Sequence, residues 1–136
     1  MDKELEEIRK RKMENLKKQL KGENKMEENL PDTPIKINDA DFEDTIKKYN
    51  TIVVDCWAPW CGPCLMVGPV IEELAKEMKG KIVFGKLNVD ENPTVSTKHQ
   101  IMSIPTLLIF KKGNLVERFI GAYPKEELKK RLEPFQ

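Results

Sequence analysis

The stretch VVDCWAPWCGPC, residues 53–64, decides the fold of this chain. Ile52 to Trp57 form a nearly continuous apolar run, which is typical of a strand buried on both faces of a sheet. Cys61 and Cys64 follow closely, separated by two residues, where a helix pattern begins. The sequence therefore predicts a pair of thiols at the junction between a central strand and a helix.

The spacing of Cys61 and Cys64 suits thiol–disulfide exchange in two steps. A sulfur at a helix start lies beside unpaired backbone N–H groups and the positive end of the helix dipole, and both lower the pKa of a thiol below about 8.5. The second sulfur follows after less than one helical turn and can reach the first. We therefore expect Cys61 to attack a substrate disulfide and Cys64 to resolve the mixed disulfide.

The rest of residues 33–136 alternates between strand and helix patterns. In chain order, the other predicted elements are a strand at 33–37, a helix carrying Phe42 and Ile46, a helix running on from Cys64 through Met78, a strand at 82–87, a polar helix at 92–99, strands at 106–110 and 115–120, and a helix at 125–133. This order predicts an α/β fold in which helices cover both faces of a mixed sheet.

The N-terminal segment differs in character from the rest of the chain. Residues 1–21 are mainly strong helix formers, and Leu5, Ile8, Met13, Leu16 and Leu20 share one side of a helix. Gly22 can end this helix, and residues 22–32 are polar. We therefore predict an amphipathic helical extension at 1–21, a linker at 22–32 and one domain at 33–136.

Composition excludes several classes of function. The 136 residues carry a net charge of only +1, so neither nucleic acid nor an anionic membrane is expected as a partner. No apolar run is long enough to span a bilayer, and the charged N-terminus does not resemble a secretory signal. Three cysteines without such a signal suggest a reducing compartment, so we expect the cytoplasm.

Four segments together resemble the thioredoxin family. VVDCWAPWCGPC is similar to the family's active-site segment, KLNVD (86–90) to its third strand, SIPTLLIFKKG (103–113) to its cis-proline strand, and FIGAYPKEEL (119–128) to its closing strand and helix. The resemblance implies a thioredoxin fold, with a central mixed five-stranded sheet flanked by four helices, besides the N-terminal helix. It also implies a protein-disulfide reductase that needs no cofactor and is recycled by a thioredoxin reductase.

The resemblance also assigns roles to individual residues. Cys61 matches the nucleophile and Cys64 the resolving cysteine of the redox-active disulfide. Asp55 matches the buried carboxylate beneath them, and Lys86 matches its lysine partner. The positions that match the family's substrate-docking surface are Trp60, Gly62, Pro63, Ile104, Pro105 as a cis-proline, and Gly121.

Asp55 also stands out without the resemblance, because it interrupts an apolar strand in which an ionised carboxylate is costly. We expect a raised pKa and a role in proton transfer; a hydrogen-bonded residue at a strand end is the alternative. For Lys86, the alternative to a functional role is that it is a solvated lysine at a strand edge.

Two positions depart from the family pattern. Leu65 stands where many members carry Lys, and Cys56 stands where an aromatic residue is common. We expect Cys56 to be a small buried residue on the sheet face opposite Asp55, with a regulatory thiol as the alternative. His99 is predicted to be solvated at a helix end.

Metal binding and a role as an adaptor are alternatives to redox chemistry. Cys61 and Cys64 could be half of a zinc site, but four ligands are needed and the other soft candidates are Cys56 and His99. The spacing of the three cysteines also matches a plant-type iron–sulfur motif, which needs a fourth cysteine. We therefore predict no metal. The remaining alternative is an adaptor whose N-terminal helix recruits a partner.

Overall fold

The computed structural model describes residues 30–136. The helix predicted at 1–21 and most of the linker predicted at 22–32 lie outside the described residues. The proposed start of the domain at residue 33 therefore stays a prediction.

The described chain forms five strands and four α-helices in the predicted order. The elements are β1 (Ile35–Lys36), α1 (Phe42–Lys48), β2 (Thr51–Trp57), α2 (Gly62–Glu77), β3 (Val83–Asn88), α3 (Pro93–Lys98), β4 (Thr106–Lys111), β5 (Asn114–Ile120) and α4 (Lys125–Leu132), followed by a 3₁₀ turn at Glu133–Phe135. The strand order is β1-β3-β2-β4-β5. β1, β3 and β2 run parallel to one another, whereas β4 runs antiparallel to both of its neighbours, β2 and β5. The predicted mixed sheet is therefore confirmed.

β2 lies at the centre of the sheet, as its apolar sequence predicts. It pairs with β3 on one side and with β4 on the other, and all of its residues except Trp57 are buried. Asp55 lies in register between Lys86 of β3 and Leu107 of β4. A carboxyl group is therefore fixed in the middle strand of the sheet.

Alternation along β2 sends successive side chains to opposite faces. Val53 packs with apolar residues of α2 and α4, among them Val67, Ile71 and Leu128. Asp55 shares this face with Val53, so its carboxyl group lies on the side of the sheet that α2 covers. Cys56 lies on the opposite face and is fully buried, as expected.

Candidate active site

The helix that begins at the cysteine pair is capped by a sulfur atom. Cys61 is the N-cap of α2, and its Sγ accepts a hydrogen bond of 3.2 Å from the backbone N–H of Cys64. Pro63, in the first turn, has no N–H to offer. Cys61 and Cys64 are joined in a disulfide, and both are buried, Cys64 more deeply. The N-terminus of α2 is thus aimed at the sulfur of Cys61.

The loop before β4 brings backbone groups to the disulfide. The peptide bond between Ile104 and Pro105 is cis, as the resemblance implies. The carbonyl oxygen of Ile104 lies 3.7 Å from Cys61 Sγ. The carbonyl of Pro105 accepts a hydrogen bond of 2.9 Å from the N–H of Gly121, whose φ of +104° favours glycine. Residues distant in sequence therefore meet beside the sulfur atoms.

Trp60 is held at the rim by a contact that the sequence analysis missed. Its side chain is 71% exposed, and its indole Nε1 donates a 2.8 Å hydrogen bond to Asp90 Oδ2. The backbone N–H of Asp90 in turn donates to Asn88 Oδ1 at 3.0 Å. The sequence offers only a weak signal for this pair, an acidic residue shortly after the end of a parallel strand.

Within residues 30–136, the segments around the disulfide carry most of the large exposed apolar side chains. Those that flank the cysteine pair, the cis peptide bond or Gly121 in sequence are Trp60, Leu65, Met66, Met102 and Ile120. Exposed apolar side chains grouped in this way are typical of interaction sites. Sequence reasoning did not single out Met66, Met102 or Ile120. Met66 and Ile120 lie in a helix and a strand, where an apolar residue is usually assigned to the core, and Met102 lies in the loop before β4.

Asp55 is fully buried, and neither carboxylate oxygen has a hydrogen-bond partner among residues 30–136. Burial raises the pKa of Asp55 to about 7, while the positive charge of Lys86 acts in the opposite direction. Lys86 forms no ion pair with a carboxylate among residues 30–136. Its Nζ lies 4.6 Å from the centre of the Trp57 ring. The carboxyl group can therefore gain or lose a proton near neutral pH.

The sequence and the fold are similar to those of proteins of known family. The family model described as thioredoxin matches residues 33–134. The chain belongs to the thioredoxin family. It is 49% identical to thioredoxin from Staphylococcus aureus over 94 residues, which cover 69% of this chain and 89% of that protein. The structure of a single-residue mutant of thioredoxin from Halobacterium salinarum superposes with a TM-score of 0.73 at 31% identity, covering 78% of this chain and 93% of the other.

Thioredoxins are disulfide oxidoreductases, and the disulfide of Cys61 and Cys64 fits that activity. The chain is a thiol–disulfide oxidoreductase with a thioredoxin fold. Disulfides are the substrates of this family, so the predicted class of reaction is confirmed.

The third cysteine of this thioredoxin-family chain is chemically different from the pair. Burial raises the pKa of Cys56 to about 12, and the neighbouring Asp55 charge contributes in the same direction, against a smaller effect of Arg118. Cys56 is therefore a neutral thiol at physiological pH. This agrees with its expected behaviour as a small apolar core residue.

The prediction for His99 is right about the helix end and wrong about the solvation of its side chain. His99 does end α3, but its ring is half-buried and lies 5.4 Å from the ring of Phe42 and 5.6 Å from that of Phe110, measured between centroids. Burial, followed by the charges of Lys98 and Arg118, lowers the pKa of His99. The aromatic partners come from α1 and β4, so no local pattern indicated this environment.

Two other kinds of feature are absent from residues 30–136. No helix within residues 30–136 has the length and apolar character needed to cross a membrane. In the same part of the chain, no three His, Cys, Asp or Glu side chains converge as metal ligands would.

Proposed function

We propose that this protein reduces disulfides in other proteins, with Cys61 as the nucleophile and Cys64 as the resolving thiol. The observation that carries this assignment is the asymmetry of the pair. Cys61 Sγ accepts a hydrogen bond from a backbone N–H at the N-terminus of α2, whereas Cys64 lies inside the helix and is 2% exposed. A helix N-terminus stabilises negative charge, so the thiolate forms preferentially on Cys61 in the reduced protein.

The first step is attack by the Cys61 thiolate on one sulfur of the substrate disulfide. The substrate S–S bond breaks, a Cys61–substrate disulfide forms, and the other substrate sulfur leaves as a thiolate. The N–H of Cys64 stabilises the negative charge of the attacking sulfur before the step. That charge passes to the leaving thiolate, which takes up a proton.

The second step needs a thiolate on Cys64. Asp55 lies on the sheet face covered by α2, and with a pKa of about 7 its carboxylate can accept the Cys64 proton. The Cys64 thiolate then attacks Cys61 Sγ, which closes the Cys61–Cys64 disulfide and releases the second substrate thiolate. Lys86 supports this role because its charge favours the ionised form of Asp55.

The substrate is held by backbone groups and apolar contact. Ile104, before the cis bond to Pro105, offers its carbonyl oxygen 3.7 Å from the attacking sulfur. A polypeptide in an extended conformation could pair with this backbone as a strand pairs with a sheet edge. The expected docking surface consists of Trp60, Gly62, Pro63, Ile104, Pro105 and Gly121.

Each reduction leaves the Cys61–Cys64 disulfide, so turnover requires an electron donor. We assign this role to a thioredoxin reductase and place the protein in the cytoplasm, where disulfides are kept reduced. Residues 33–136 hold every group used above, so we propose that residues 1–32 are not needed for the chemistry. The adaptor function relies on residues 1–21 and is not favoured, because an adaptor does not require a disulfide pair.

Trapping of reaction intermediates tests this function. In the Cys64→Ser variant the second step cannot occur, so mixed disulfides on Cys61 should accumulate in cell extract and release their partners on reduction. The matched control is the Cys61/Cys64 double Ser variant, which keeps the surface and lacks both thiols. Recovery of the same proteins with both variants would contradict the assignment of Cys61 as nucleophile.

A further inference from the structure

A cleft lies at the carboxyl ends of the three parallel strands. Its volume is about 440 Å³, within the range of small-molecule sites. Pro34, Trp57 and Pro59 give it apolar walls, Lys36 and Lys86 line it with positive charge, and Glu91 contributes one carboxylate. We call this feature the Lys36 cleft.

The two lysines of the Lys36 cleft are brought together by the sheet. Lys36 of β1 and Lys86 of β3 are direct partners in the parallel register. Side chains in register on neighbouring strands point to the same face, and like charges there repel. Neither lysine forms an ion pair with a carboxylate among residues 30–136. An anion between the two ammonium groups would remove this repulsion.

The shape of the Lys36 cleft favours an anion that carries an organic group. A tetrahedral oxyanion with two negative charges can accept hydrogen bonds from both ammonium groups at once. The walls of Pro34, Pro59 and Trp57 then adjoin the anion with apolar surface, which an inorganic ion would leave uncovered. We propose that the Lys36 cleft binds a small organic phosphate monoester, with the phosphate between Lys36 and Lys86 and the organic group against Trp57. This proposal does not depend on the redox chemistry.

The binding of phenyl phosphate to the full-length protein tests the proposal, with inorganic phosphate as the probe that lacks an organic group. Both are titrated at pH 7.5 and constant ionic strength, while NMR follows the amide signals of Lys36 and Lys86 and the indole N–H of Trp57. We expect saturable shifts at all three positions and an affinity for phenyl phosphate about tenfold higher than for inorganic phosphate.

Substitutions at three exposed positions should have three different effects on the affinity for phenyl phosphate. Lys36→Gln removes one ammonium partner and should weaken phenyl phosphate binding about tenfold. Glu91→Gln removes the carboxylate of the cleft and should tighten binding. Lys81→Gln, which removes an exposed lysine that does not line the cleft, should leave binding unchanged.

Three outcomes would overturn the proposal. If shifts are absent or unsaturable, or if Lys36→Gln and Lys81→Gln weaken binding equally, there is no specific site for the phosphate. If inorganic phosphate binds as tightly as phenyl phosphate, the apolar walls take no part and the assignment of an organic ligand is wrong.

Discussion

Replacement of Asp55 by Asn should make the protein more stable, by an amount that grows with pH. Folding raises the pKa of Asp55 from its ordinary 3.8 to about 7, chiefly through burial. Between these values the folded state keeps a proton that the unfolded state releases. The contribution of Asp55 to the free energy of unfolding is therefore fully present below about pH 4. It is lost as the pH rises through about 7.

The size of the effect follows from the difference between the two pKa values. A difference of about 3 corresponds to about 4 kcal/mol, since one unit corresponds to about 1.4 kcal/mol. Asn cannot titrate. The free energy of unfolding of Asp55→Asn minus that of the wild type should therefore increase by about 4 kcal/mol between pH 4 and pH 8.

Urea unfolding of the oxidised proteins at pH 4, 6 and 8 measures this difference. The comparison across pH cancels the constant cost of burying an Asn amide in place of a carboxyl group. The control is Asp32→Asn, the same change at an exposed position, for which no comparable trend is expected. An Asp55→Asn difference that stays constant across pH would refute the inferred ionisation of the buried carboxyl group.

Three further predictions concern other parts of the chain. In the reduced protein, brief iodoacetamide treatment at neutral pH should alkylate Cys61 first, because Cys56 is buried with a pKa of about 12; equal labelling of all three cysteines by peptide mapping would contradict this. As the pH falls from about 7 to 5, the wild type should lose more stability in urea than His99→Leu, because folding lowers the pKa of His99 and disfavours its charged form; parallel losses would show that His99 does not titrate in this way. A protein that starts at Leu30 should fold and keep its reductase activity, as circular dichroism and an insulin assay would show, whereas loss of either would place the extension within the catalytic domain.

The central part of the fold could be predicted from local sequence alone. Ile52 to Trp57 is apolar without interruption except at Asp55, and such a segment is typical of an interior strand in a sheet that is covered on both faces. The helix start at Cys61 follows from the same stretch. Short-range chemistry decided these features, so no knowledge of distant residues was needed.

Features that depend on contacts between distant segments were harder to predict. The cis bond before Pro105 came only from the family resemblance, since most bonds before proline are trans. His99 was assigned to solvent because Phe42 and Phe110 lie far from it in sequence. The bond from Trp60 to Asp90 was missed for the same reason. Each of these depends on how the strands are ordered in the sheet rather than on a local pattern.

Reduction of insulin with dithiothreitol as the electron source tests the dithiol chemistry most directly. The chain with both cysteines should accelerate precipitation of the insulin B chain well above the rate with dithiothreitol alone, and Cys61→Ser should abolish the acceleration. Cys56→Ser is the matched control, since it removes a buried thiol outside the pair, and it should retain the activity. Wild-type activity in Cys61→Ser, or no acceleration by the unmodified protein, would contradict reduction through the Cys61–Cys64 pair.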